Sequence, residues 1–175
     1  LWVFPAELST SGSATGTITC DDGDAVDMGE QEGKYVKFTA TDGTVGIFIL
    51  SDASEPDAVP SGTVLTATSD LGSSTPDADL LAEGEGVCIA VTCNLNTNSQ
   101  ATVLNEFRDT IGASTSPIKD KITGGTITGT GDGEQSITFT QATLGTAGNN
   151  TVTTNIGLFE ATGFTGGQDG GTGHT

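Results

Sequence analysis

The sequence predicts a mainly β domain of α+β type: an antiparallel sheet or sandwich with hairpins and one helix packed on it. Three observations carry this. Short runs rich in Thr, Val and Ile alternate with period two along much of the chain. Asp-Gly and Gly-Asp-Gly turns join neighbouring runs in the manner of hairpins. A single stretch, about residues 99–111, carries an apolar stripe of helical period. Strands, then one helix, then more strands is an order that suits helices segregated to one side of an antiparallel sheet.

The elements follow in order. Trp2, Val3, Phe4 and Leu8 gather around Pro5 in an apolar N-terminal arm, and residues 9–14 read as a flexible linker. Thr17 to Cys20 alternates like a short strand and runs into the acidic stretch that begins Asp21-Asp22-Gly23-Asp24. Residues 34–40 and 44–50 flank Thr41-Asp42-Gly43, where Asp-Gly supplies the positive φ of a tight hairpin. Residues 51–62 form a polar loop, and residues 63–68 form another strand. A second loop contains Pro76, Asp77 and Asp79. Val87 to Cys93 is apolar on nearly both faces and predicts a central, buried strand. Asn98 or Ser99 can cap a helix in which Val103, Leu104, Phe107 and Ile111 make the buried stripe, with Gly112 expected as a left-handed C-terminal cap. Residues 122–130 and 135–141 form a second hairpin around Gly131-Asp132-Gly133. A small-residue loop over 143–150 then precedes a strand over 151–154. The expected organisation is an arm and acidic loop region over 1–33, a β-rich structural domain over 34–167, and a flexible Gly-rich tail over 168–175.

Charge narrows the function classes. The 175 residues include 23 Asp+Glu against five Lys+Arg, a formal net charge of −18. An acidic surface repels phosphate, so neither nucleic acid nor an anionic membrane is an expected partner. The longest apolar run, Ile47-Phe48-Ile49-Leu50, is strand-sized and far short of the ~20 residues of a membrane-spanning helix. The start, Leu1 to Pro5, has no basic leader or long apolar stretch, so no signal peptide is expected there.

Catalytic and metal patterns are weak. Cys88 and Cys93 are an odd number of residues apart in one strand-like run, which directs them to opposite faces. With Cys20 they read as buried, reduced thiols. The only histidine, His174, lies in the Gly-rich tail, which disfavours a Ser–His triad. No nucleophile elbow or phosphate loop occurs, and Asn149-Asn150-Thr151 is a formal glycosylation sequon that reads equally as a turn. The expectation is a protein that is not an enzyme. Asp21, Asp22, Asp24 and Asp27 offer oxygens of the kind calcium takes, but their spacing fits no EF-hand, and a solvated acidic loop is the simpler account. No other cofactor is expected. Trp2, Val3, Phe4 and Leu8 are the candidate partner contact.

The second half of the chain carries a resemblance. The helix Ser99 to Ile111, the run Ser136-Ile137-Thr138-Phe139-Thr140-Gln141, the stretch Leu144-Gly145-Thr146-Ala147-Gly148-Asn149-Asn150-Thr151 and the ending Gly163-Phe164-Thr165-Gly166-Gly167 occur together. Thr41-Asp42-Gly43-Thr44 precedes them all. This combination resembles a module of structural virion proteins, of decoration or fibre type, in tailed bacteriophages, especially marine ones, and it spans about residues 34–167. The resemblance implies a non-enzymatic role in particle architecture, with no catalytic residues to carry over. It implies most readily a capsid decoration (cement) protein at the virion surface, assembled in the host cytoplasm. Its expected partners are its own copies, with a trimer as the expected number, and the major capsid protein or other virion subunits. The alternatives are a tail or fibre component, a self-assembling extracellular filament, or an adhesion subunit.

Overall fold

Alternating Thr and Ile, Val or Phe leaves a strand with one polar and one apolar face, and two such sheets bury their apolar faces against each other. That is the arrangement in the computed structural model, which describes residues 10–20, 28–56, 58–66, 85–129 and 134–171. In chain order the elements are β1 (Ser13–Cys20), a 3-10 turn (Met28–Gln31), β2 (Tyr35–Thr39), β3 (Val45–Asp52), β4 (Val64–Leu65), β5 (Val87–Cys93), α1 (Gln100–Ile111), β6 (Ile122–Thr128), β7 (Gln135–Leu144), a second 3-10 turn (Thr146–Gly148), β8 (Val152–Thr154) and β9 (Phe159–Thr165). The class is mainly β with one α-helix among the described residues, as the sequence predicts.

One sheet has the order β6-β7-β1-β9 and is antiparallel throughout; the other has the order β4-β5-β3-β2-β8. The second sheet is mixed, because β5 runs parallel to β3 while β4 and β2 lie antiparallel to their neighbours. Between the sheets lies one core, to which β1 contributes Ile18, β2 Phe38, β3 Phe48, β5 Val91, β7 Phe139 and β9 Phe164. Phe38 is its hub, with ring centroids 5.0 Å from Phe139, 6.0 Å from Phe48 and 6.3 Å from Phe164. Helix α1 packs against β5 of one sheet and β6 and β7 of the other, burying Val103, Leu104, Phe107 and Ile111. β3 and β5 also bury their second face, where Ile47, Ile49, Cys88 and Ala90 meet Leu65. This explains the run that is apolar on both sides.

The expected hairpin forms: β2 and β3 pair with Thr39 opposite Val45, Gly43 takes φ 82°, and the Thr44 amide donates to Asp42 Oδ1 at 3.0 Å. Ser99 is the N-cap, accepting from the Thr102 amide. Three expectations are corrected. Gly112 has φ −80° and is right-handed. The chain continues through right-handed turns in which Ala113 N donates to Thr110 O and Ser116 N to Ala113 O, so no left-handed residue is needed. The linker expected over 9–14 gives way to strand at Ser13. Ala14 is fully buried, and β1, counted with the N-terminal arm in the sequence reading, lies between β7 and β9. The start of the expected flexible tail is tied down, since Gln168 pairs with Gly12 through reciprocal backbone bonds of 3.0 and 3.1 Å. Phe38→Ala, which removes the ring shared by both sheets, is expected to cost about 3–5 kcal/mol, read as a shifted denaturant midpoint.

Candidate functional site

The residues singled out in the sequence fall outside the described part of the chain. Trp2, Val3, Phe4 and Leu8 precede it, and Asp21, Asp22, Asp24 and Asp27 lie between the end of β1 at Cys20 and the turn that starts at Met28. Among the described residues no group of three or more His, Cys, Asp or Glu is placed to hold a metal.

The remaining chemistry-bearing groups are engaged locally. Cys20, Cys88 and Cys93 form no disulfide, and all are buried. Burial pushes the Cys93 thiol up to about 12, helped by the negative Glu106 and Asp52 and opposed by a hydrogen bond with Asn98, while burial alone raises Cys88. A thiol so placed is a small hydrophobe and not a nucleophile. The Asp52 carboxylate, buried at the end of β3, accepts from the Ser54 amide at 2.9 Å, the Leu95 amide at 3.3 Å and Asn96 Nδ2 at 2.9 Å, and so organises the loop after β5. The described residues line two shallow clefts. One, of about 160 Å³, lies between the end of α1 and the turn at Ser61 and Gly62; it presents Glu106 and Asp109, and Asp109 Oδ1 is held by Arg108 at 2.7–2.8 Å. The other, about 50 Å³, lies beside the ion pair of Lys121 Nζ with Asp42 Oδ2 at 2.7 Å. The Lys121 ammonium and the Thr44 amide hold the Asp42 carboxyl well below the usual carboxylate range.

The segments that carry the resemblance converge instead on the junction between the two sheets. Along β7 the inward positions are Gln135, Ile137, Phe139 and Gln141, so Gln141 places a carboxamide on an apolar face and is fully buried. Its Nε2 donates to Thr39 O at 2.8 Å, and its Oε1 accepts from Thr41 N at 3.0 Å and Thr41 Oγ1 at 3.1 Å. These bonds fasten the end of β2 and the Thr41-Asp42-Gly43-Thr44 turn to the opposite sheet. Asn150 Nδ2 reaches the same segment, donating toward Ala40 O at 3.3 Å and Ala147 O at 3.1 Å, and Asn150 O accepts from Phe164 N at 2.7 Å. Asn149 and Gly167 bond reciprocally, Gly167 N to Asn149 Oδ1 at 2.9 Å and Asn149 Nδ2 to Gly167 O at 3.3 Å. Asp169 accepts from Thr146 N at 2.9 Å and Thr146 Oγ1 at 2.8 Å.

The glycines here make room. A Cβ on Gly167 would collide with the Gly145 carbonyl, and one on Gly148 would lie 3.2–3.3 Å from Thr41 Oγ1, Ala14 Cβ and Gln141 Cγ. Gly145 takes φ 114°, open to glycine and strained for other residues. Gln141 and Asn150 were visible as parts of a motif, but their role was not; the available signal was that Gln141, like Gln135, stands in the apolar register of β7. Chemically the arrangement satisfies backbone groups and joins two sheets; it presents no reacting atom. No family model, curated protein or solved structure matches the chain.

Two outcomes are expected. Gln141→Ala leaves the Thr41 amide without its acceptor and opens a void, costing about 2–4 kcal/mol, or ~10 °C in Tm, while a substitution at exposed Thr143 costs less than ~0.5 kcal/mol. Thiol titration with a water-soluble disulfide reagent finds no fast-reacting group in the native chain and three after denaturation. A fast native equivalent would contradict the burial of the cysteines.

Proposed function

We propose that the chain is a non-enzymatic structural protein of a phage virion, most specifically a capsid decoration protein that works as a small homo-oligomer on the shell. The observation that carries this reading is the convergence of the motif residues. Gln141, Asn150 and Phe164, on which the resemblance to virion modules rests, link the two sheets, and Asn149 and Gly167 of the same motif fasten the connection after β7 to the end of β9. Residues used in that way specify a rigid module, which is what a particle-stabilising subunit needs. The net charge of −18 agrees with it, since like-charged free subunits stay apart until a matching surface recruits them. In this reading Trp2, Val3, Phe4 and Leu8 supply the apolar anchor to a neighbouring subunit or the major capsid protein, and the folded domain is the body it carries.

Immunogold labelling of purified phage particles with antibody against the chain tests the proposal. Label over the capsids is expected. Label confined to tails or fibres moves the protein to the alternative virion role, and label on filaments or cells without particles contradicts the proposal. Deleting residues 1–8 is expected to abolish capsid labelling after reconstitution, with the thermal transition of the domain unchanged.

A further inference from the structure

On the outward side of the β6-β7-β1-β9 sheet the hydroxyls form a grid. β1 and β7 pair in unbroken register from Thr15 to Cys20, which sets Thr15, Thr17 and Thr19 opposite Thr140, Thr138 and Ser136. All six point away from the core, since the residues between them, Gly16, Ile18, Ile137 and Phe139, are buried. The flanking strands extend the rows. Thr162 and Thr165 of β9 stand beside Thr17 and Thr15, and Thr123 and Thr128 of β6 stand beside Thr140 and Ser136. One carboxylate, Glu160, ends the row of Thr19 at the β9 edge. Among the described residues the mixed sheet offers no such face, because its second side is buried at Ile47, Ile49, Cys88 and Ala90.

Strand geometry fixes the spacing of this grid. Neighbouring positions lie about 4.7–4.9 Å apart across the strands and about 6.4–6.8 Å apart along them. Twist turns neighbouring strands by about 20–25°, so the repeat is kept best on the central β1–β7 pair. A threonine holds its hydroxyl still, because branching at Cβ confines χ1. Neighbours hold it further: Thr17 Oγ1 and Thr138 Oγ1 are 3.4 Å apart, Thr128 Oγ1 and Ser136 Oγ are 2.8 Å apart, and Thr162 Oγ1 accepts from the Thr17 amide at 2.9 Å. Strand propensity alone would accept valine, isoleucine or tyrosine at these positions, and solubility alone would accept lysine or glutamate. A hydroxyl at every position of the central ladder meets a different requirement.

We propose that this face binds ice. Charge and chemistry select the occupant. The outward positions of β1 and β7 carry no charge, so they offer nothing to an ionic partner, and no aromatic ring on which a sugar could stack. Each hydroxyl is a donor with two acceptor lone pairs, the same double role that a water molecule plays in ice. Its repeat along and across the strands lies close to that of the oxygen rows on the prism face of ice. The threonine methyls fill the space between hydroxyls, and an array fixed before contact loses little conformational entropy on binding. Ice binding goes beyond the virion reading and does not require it.

Slow freezing of a solution of the full chain onto a cold finger, together with the melting and freezing points of single ice crystals, tests the proposal. The chain is expected to enter the ice fraction, to facet the crystals and to hold freezing below melting. Thr138→Lys and Thr15→Lys, at exposed positions of the central ladder, each put a long charged side chain on the grid and are expected to lose all of these effects. Thr153→Lys adds the same charge at an exposed position of β8 and keeps them. Unchanged thermal transitions show the variants to be folded. Exclusion of the parent from ice, crystals that grow as unshaped discs, or a Thr138→Lys variant as active as the parent overturns the proposal. So does a Thr153→Lys variant that loses the effects equally, or retention on insoluble cellulose or chitin without partition into ice. Capsid labelling depends on none of these readings, so the virion reading and this site fail separately.

Discussion

A buried carboxamide with its hydrogen bonds made is the constraint on which this architecture depends. Gln141 sits on the inward face of β7 with no exposure to solvent, and an amide taken out of water costs several kcal/mol unless its polar atoms find partners. It finds them in the main chain at Thr39 and Thr41, at the end of the β2–β3 hairpin in the other sheet. Slipping β2 or β7 by one residue in its pairing register would break those bonds and send Phe38 or Phe139 to the wrong face. The hydrophobic core supplies most of the driving force, but apolar contacts alone admit many nearby packings. The directional bonds of Gln141, with those of Asn150 beside it, select one. The close approaches at Gly148 and Gly167 follow, because any side chain there would push the clasp open.

The same economy shapes the surface. Polar groups that look chemically promising in the sequence serve backbone satisfaction in the fold: Asp42 caps a hairpin and pairs with Lys121, Asp52 gathers the amides of the loop after β5, and Asp169 holds the start of the second 3-10 turn. Threonine hydroxyls cover the outer face of the antiparallel sheet, where β-branched residues favour the strand. Among the described strands only Lys37, Asp52 and Glu160 are charged, so the strands hold little of the chain's acidic charge.

Much of this was legible in the sequence, for local reasons. The Asp42-Gly43 hairpin, the Ser99-capped helix and the doubly buried strand at Cys88 are written in neighbouring residues, where turn geometry, capping and periodicity act directly. The inward and outward directions of Cys93 and Cys88 followed from the period of a strand alone. Long-range partnership was not legible. β1 and β7 are more than 100 residues apart, and nothing local in Ser13 and Ala14 announces a strand hydrogen-bonded on both sides. β9 was overlooked because Gly163 interrupts its pattern, yet Gly163 is there to let the backbone at Asn150 approach. The parallel pairing of β3 with β5 depends on a crossover that periodicity does not encode. Of the candidate site, the motif could be read but not its meaning, since a glutamine in apolar register becomes informative only when its partners are known.

Native-state hydrogen exchange of individual amides tests the central claim most directly. The Thr41 amide donates to Gln141, the Phe164 amide to Asn150 and the Gly167 amide to Asn149, so all three report on the clasp. If the clasp fixes the packing of the two sheets, these amides exchange only through global unfolding, with the same free energy as core amides of Phe48 and Ile137. Exchange of the three amides at a free energy several kcal/mol below the core would contradict it, showing a junction that opens on its own while the sandwich stays closed.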